Sequence, residues 1–88
     1  MENRVALISI IVKEKASSKM VNDLLYQYGD VIIARMGVPY EKRKVSLISV
    51  IVDAPQPQIA ALSGKLGALN GVSSKTLYSN LSGDYNEV

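Results

Sequence analysis

The segment Leu62-Ser63-Gly64-Lys65-Leu66-Gly67 holds the residue types of a phosphate-cradling loop, but not their order. The leading glycine of such a loop would fall at Ile59, and the residue after Lys65 is Leu where a Ser or Thr hydroxyl is needed for a metal ion. The stretch also lies within a helical pattern instead of preceding one, so phosphate-loop chemistry is rejected. Gly64 and Gly67 still call for a reason, because each costs about 1 kcal/mol against Ala inside a helix. On a helical wheel Ala60, Ser63, Gly64 and Gly67 share one side, next to an Ile59/Leu62/Leu66 stripe. Two readings stay open: close approach of a neighbouring helix or strand, or room for a small ligand. Replacing Gly64 with Val is expected to disturb packing or ligand binding under either.

Three cations stand among apolar or small neighbours: Arg35, Lys65 and Lys75. Together they could receive an anionic ligand or a partner's carboxylates. Singly, each reads as a solvated rim charge. The candidate ligand or partner site is therefore Arg35, Ser63, Gly64, Lys65 and Lys75. Lys42-Arg43-Lys44, beside Glu41, is too small a cluster for phosphate-driven affinity and reads as a solvated hairpin turn. Direct nucleic-acid binding is not expected.

Other chemistry is excluded by residue type. The 88 residues include no Cys and no His. Thiol chemistry and disulfides are ruled out, the usual soft metal ligands are missing, and so is the commonest general base near neutral pH. No cofactor, metal centre or catalytic constellation is expected. A net charge of +2 is spread along the chain, and hydrophobic residues make up 48%, with no Phe and no Trp. A chain of this length forms one domain and buries only about 60% of its unfolded surface. A deep cavity would compete with that core for volume, which favours a surface or interface site. The apolar run at residues 5–12 is far short of the ~20 residues of a membrane-spanning helix. No basic stretch followed by a cleavage site marks export, so the cytoplasm is the expected compartment.

The elements that must hold these residues follow from periodicity. Residues 5–12 are rich in β-branched side chains and read as a buried strand. From Ser17 onward Val21, Leu24, Leu25 and Tyr28 recur on one helical face, with Ser17 or Ser18 as cap and Gly29 as left-handed stop. Residues 31–38 return to strand character, a turn at Glu41-Lys42-Arg43 follows, and residues 45–52 form a second apolar strand. Pro55 and Pro57 open another helix, with Pro57 at its first position. That helix buries Ile59, Leu62, Leu66 and Leu69 and ends at Asn70-Gly71. Residues 72–78 are a last, more polar strand. Residues 1–79 make the domain, and residues 80–88 are expected to be a loose tail.

The order β-α-β-β-α-β predicts an α+β, ferredoxin-like fold: a four-stranded antiparallel sheet with two helices on one face. The first and third strands, the most apolar, fall in the centre. Such a sheet should alternate apolar toward the helices and polar toward water. Here Val5, Leu7, Ser9 and Ile11 with Val45, Leu47, Ser49 and Ile51 occupy one face. Ala6, Ile8, Ile10 and Val12 with Ser46, Ile48, Val50 and Val52 occupy the other. Two helices cover one of these, so another subunit is expected on the second, most simply by two-fold symmetry, as a dimer or tetramer.

Neither central strand carries the aromatics that stack RNA bases. The loop Lys13-Glu14-Lys15-Ala16-Ser17 has neither the Cys-x-x-Cys of a metallochaperone nor the glycine-rich anion loop with arginine of an acylphosphatase-like site.

Arg35-Met36-Gly37-Val38-Pro39, and the 62–67 segment followed by Gly71-Val72 and Lys75-Thr76, resemble the iron-only ([FeFe]) hydrogenase system regulators. The likeness spans roughly residues 4–78. It implies an ACT-like fold related to the C-terminal sensing domain of the nickel-responsive regulator, and a part in transcriptional control. The nickel-binding His and Cys of that regulator have no counterpart here, so metal sensing does not carry over. No ribbon-helix-helix segment precedes the first strand, so reading DNA would need a partner or an unexpected surface. The expected function is an oligomeric regulatory module that binds a small effector, or a DNA-binding or hydrogenase-maturation protein, at an interface and without catalysis. The alternatives are a cofactor-free dimeric ferredoxin-like enzyme, for which the five tyrosines with Arg35 and Asp30 leave acid–base chemistry open, and a structural assembly factor.

Overall fold

A computed structural model describes residues 2–79. The expected tail at residues 80–88 lies outside the described residues. The elements run β1 (Asn3–Val12), α1 (Ser18–Gln27), β2 (Ile32–Tyr40), β3 (Val45–Pro55), α2 (Gln56–Gly67) and β4 (Val72–Tyr78). All pairings are antiparallel in the order β2-β3-β1-β4, so the two most apolar strands are central, as in the ferredoxin-like arrangement.

Alternation along β1 and β3 decides what is buried. Ala6, Ile8, Ile10 and Val12 meet Val50, Val52 and Ala54 beneath the helices, with Val21 and Leu25 of α1 and Ile59, Leu62 and Leu66 of α2 above them. This is the core of the domain. Leu24, Tyr28 and Leu69 of the expected helical stripes are only partly buried at its edge.

Several local expectations need correction. Ser17 stands at the α1 N-cap, but its hydroxyl does not cap the helix. It donates instead to the Asn70 carbonyl at 2.6 Å, tying the start of α1 to the end of α2. The carboxylate of Glu14 accepts from the Ala16 amide and caps a short 3₁₀ turn that leads into α1. Gly29 is not a left-handed stop. The Tyr28 amide closes the helix on the Leu24 carbonyl, and the chain runs on into a second 3₁₀ turn at Gly29–Val31. Pro57 is the second residue of α2, because Pro55 both ends β3 and caps the helix.

Left-handed backbone is confined, among the described residues, to Lys44 in the β2–β3 turn and Gly71 before β4. At Gly71 (φ +70) it is obligatory: a Cβ there would lie 2.5 Å from Glu14 Cβ. The same residue's carbonyl accepts from the Lys13 amide at 2.7 Å, locking the β1–α1 junction to the α2–β4 junction.

The helices do not cover the sheet evenly. α2 lies over β4, β1 and β3, whereas every residue of β2 after Ile32 is exposed. A bulge between Ile32 and Ala34 offsets the start of β2 from β3.

Candidate functional site

Two surfaces follow from this uneven cover. The first is the open face of the sheet. Its central row runs Lys75, Ser9, Ser49, Met36 across all four strands. Apolar rows flank it: Leu77, Leu7, Ile51 and Ala34 on one side, and Ile11, Leu47 and Val38 next to Ser73 on the other. Leu7, Ile11 and Leu47 are about two-fifths exposed although they sit on or beside central strands. Met36 and Leu77 on the edge strands are more open still, at 73% and 68%. A shallow groove of about 430 Å³ runs between Ser9, Ile11, Met36, Val38, Leu47 and Ser49.

The second surface lies on the helix side, where β2 projects beyond the cover of α1. A cleft of about 500 Å³ opens there between the two elements. Its floor is Gly37, Pro39 and Ile48, its helical wall Val21 and Asn22, and Arg35 stands on its rim. Arg35 Nη2 donates to the side-chain oxygen of Asn22. Among the described residues the only ion pair is Lys19–Asp23 on the outer side of α1, so Arg35 has an amide for a partner and no carboxylate. The Asp23 carboxylate, by hydrogen bond and then by charge, holds the exposed Lys19 ammonium above its usual pKa.

The five residues expected to form the site are dispersed. Arg35 is on the helix side of β2, whereas Lys75, paired with Ser9, faces the open side. Lys65 leaves α2 toward α1, donating to the Tyr28 hydroxyl at 3.0 Å with its ammonium 5.3 Å from the ring centre. Ser63 shares a 2.9 Å hydrogen bond with Ser74 of β4. A Cβ built on Gly67 would lie 3.9 Å from Ser74, so Ser63 and Gly67 mark where α2 lies close over β4. That is the close-approach reading of the small residues. Gly64 is different, since a Cβ there would meet nothing within 4 Å. Within one chain there is nothing near enough for a small side chain at Gly64 to disturb.

Sequence reasoning passed over Asn22 and met Gly37 only as part of the stretch that carries the family resemblance. Asn22 follows the buried Val21 and so borders the core stripe. Gly37 interrupts an otherwise extended run, a signal of close backbone approach or of a floor left open.

The fold agrees with comparison to known proteins. Residues 4–76 match the model of the TM1266-like family, described as "Iron-only hydrogenase system regulator, putative". The chain belongs to this family. It is also similar to a solved structure, that of the uncharacterized protein TM1266 from Thermotoga maritima, with 32% identity and a TM-score of 0.84. The similarity covers 88% of this chain and 98% of that one. None of the functionally curated proteins compared with it matches. No helix among the described residues is long and apolar enough to cross a membrane.

Proposed function

We propose that this protein is a regulatory module of the iron-only hydrogenase system that self-associates through the open face of its sheet and acts by binding, not by catalysis. The exposed apolar rows on β1 and β3 carry this reading. Central strands of a monomer normally present a polar outer face to water, and here Leu7, Ile11, Leu47 and Ile51 surround the polar Ser9–Ser49 pair, with Asp53, opposite Val5, toward one end. The occupant that fits is a second copy of the chain. Four strands of up to eleven residues make a face of at most ~37 by ~19 Å, or about 700 Å² before side-chain relief. That is near the ~800 Å² per partner of an ordinary stable interface. A two-fold axis sets each apolar row against apolar rows of the copy and lets serine hydroxyls pair across the centre.

Regulation then follows by linkage. An effector or partner that binds one assembly or conformation better than another shifts the population, and a DNA-binding or maturation protein reads the result. The chain works in the cytoplasm, where a hydrogenase system regulator would meet such partners.

Sedimentation velocity across a dilution series tests the assembly. The wild-type chain is expected to associate at tens of micromolar. Leu47→Lys places an unpaired ammonium in the apolar interface and should weaken association at least ~100-fold while circular dichroism stays unchanged. A wild-type chain that remains monomeric, or a variant that associates equally well, sinks the proposal.

A further inference from the structure

We infer that the cleft between α1 and β2 is a binding site for a small organic anion with an apolar body, its carboxylate or phosphate head held by Arg35. This deepens the regulatory reading by giving the effector a place and a chemical class. The cleft's volume of about 500 Å³ suits a small molecule. Its floor and wall are apolar or side-chain-free at Val21, Gly37, Pro39 and Ile48, so they offer a ligand body dispersion and burial without polar competition. The polar groups that line it are Asn22, Arg35, Ser18 and Ser46.

Arg35 carries the choice of an anion. A guanidinium has five N–H donors in a fork that matches carboxylate or phosphate oxygens. Asn22 takes one through a neutral oxygen and steadies the side chain beside the cleft. The remaining donors have no carboxylate among the described residues.

The electrostatic surroundings point the same way. Beyond Pro39 and Ser46 the cleft continues into a second hollow of about 520 Å³, which borders the same Val12, Ser18, Pro39 and Ser46 and brings in Lys13, Lys15 and Lys44. Its acidic residues are Glu14, already engaged by the Ala16 amide, and Glu41. Four cations against two carboxylates leave the trough positive, a field that favours anions on approach. Gly37 keeps the floor low: a single Cβ there would rest 3.6 Å from Ile48 Cγ1, an ordinary contact, whereas a longer side chain would project into the cleft.

The test is a backbone-amide NMR titration of the full chain with 4-phenylbutanoate and with phenyl phosphate, using neutral 4-phenyl-1-butanol as the control. At least one anion should shift the amides of Asn22, Gly37 and Ser46 saturably, and the alcohol should bind about tenfold more weakly. Arg35→Met should reduce anion affinity about tenfold or more, and Gly37→Leu should block it by filling the floor. Lys65→Met, on α2 and engaged with Tyr28, should leave it unchanged. Absence of saturable shifts with both anions, equal binding of anion and alcohol, or unaltered binding by Arg35→Met and Gly37→Leu would each overturn the site. So would shifts centred on Ser9 and Ser49. Sedimentation of the same samples separates the two proposals: a monomer that binds at Arg35 ends the assembly reading alone, and an oligomer that binds nothing there ends this one alone.

Discussion

The two faces of one sheet carry nearly the same residues and meet different fates. On the helix side the partner pairs are Ala6/Val52, Ile8/Val50 and Ile10/Ile48. On the open side they are Leu7/Ile51, Ser9/Ser49 and Ile11/Leu47. Ile8 is wholly buried while Leu7, its neighbour in the chain, is 40% exposed. The pleat alone separates them. Hydrophobicity therefore does not decide which face the helices take. The open face is distinguished by one polar pair at its centre and by Lys75 beside it, and the covered face by the α2 contacts through Ser63 and Gly67. A face open to water tolerates an unpaired serine couple at its middle, whereas the serine hydroxyls beneath α2 pair with each other at the sheet edge, Ser63 with Ser74.

The sharpest break of this comparison is a pair of identical truncations on adjacent residues. Ile8→Ala should cost ~2–5 kcal/mol in chemical denaturation, because it opens a cavity in a site with no exposure. Leu7→Ala should cost under about 1.5 kcal/mol in dilute solution, where that side chain already touches water. Its larger effect should be on association, so that its melting temperature loses the protein-concentration dependence expected of the wild type. Equal losses at every concentration would mean that the two faces do not differ as described.

A second contrast concerns how the cover is fastened. Gly71 holds the α2–β4 junction against Glu14 and Lys13 in a backbone conformation that L side chains rarely adopt. Gly71→Ala should destabilise the fold by about 1–3 kcal/mol, with the steric contact at Glu14 placing it toward the upper end. Thermal unfolding at one fixed concentration measures it. A loss below about 0.5 kcal/mol would show that the junction relaxes and does not lock α2 in place.

Much of this architecture was legible in the residues themselves. The β-branched runs and the 3.6-residue stripes specify the elements in their order, and the short connections leave few topologies. Residues 72–78 proved to be β4 to the residue. The failures were local and share a cause. Ser17 looked like a cap and Gly29 like a stop because both rules concern neighbours in sequence. In the fold the Ser17 hydroxyl is claimed by Asn70, far along the chain, and the left-handed glycine is the one facing Glu14. The site was less legible for a related reason. Arg35, Lys65 and Lys75 were grouped by charge and apolar context, but strand parity sends Arg35 and Lys75 to opposite faces. The cleft beside Arg35 depends on how far β2 projects past α1, and periodicity along either element does not encode that distance.

The finest discrimination rests on Gly64, on the outer part of the covering helix. If α2 serves only as the lid of one chain, this glycine is a defect. Nothing lies within 4 Å of where its Cβ would be, and a helix interior disfavours glycine by about 1 kcal/mol relative to alanine. Gly64→Ala should then raise stability by up to about 1 kcal/mol and leave both association and anion binding at Arg35 unchanged. If a copy of the chain instead approaches α2, the added methyl would weaken association, and Gly64→Val would weaken it further while the isolated domain stays folded. Denaturation and sedimentation on the same two variants separate these outcomes. A stabilised, normally associating Gly64→Ala confines assembly to the open face. Impaired association would make α2 part of the interface and end the comparison in which only one side of the sheet awaits a partner.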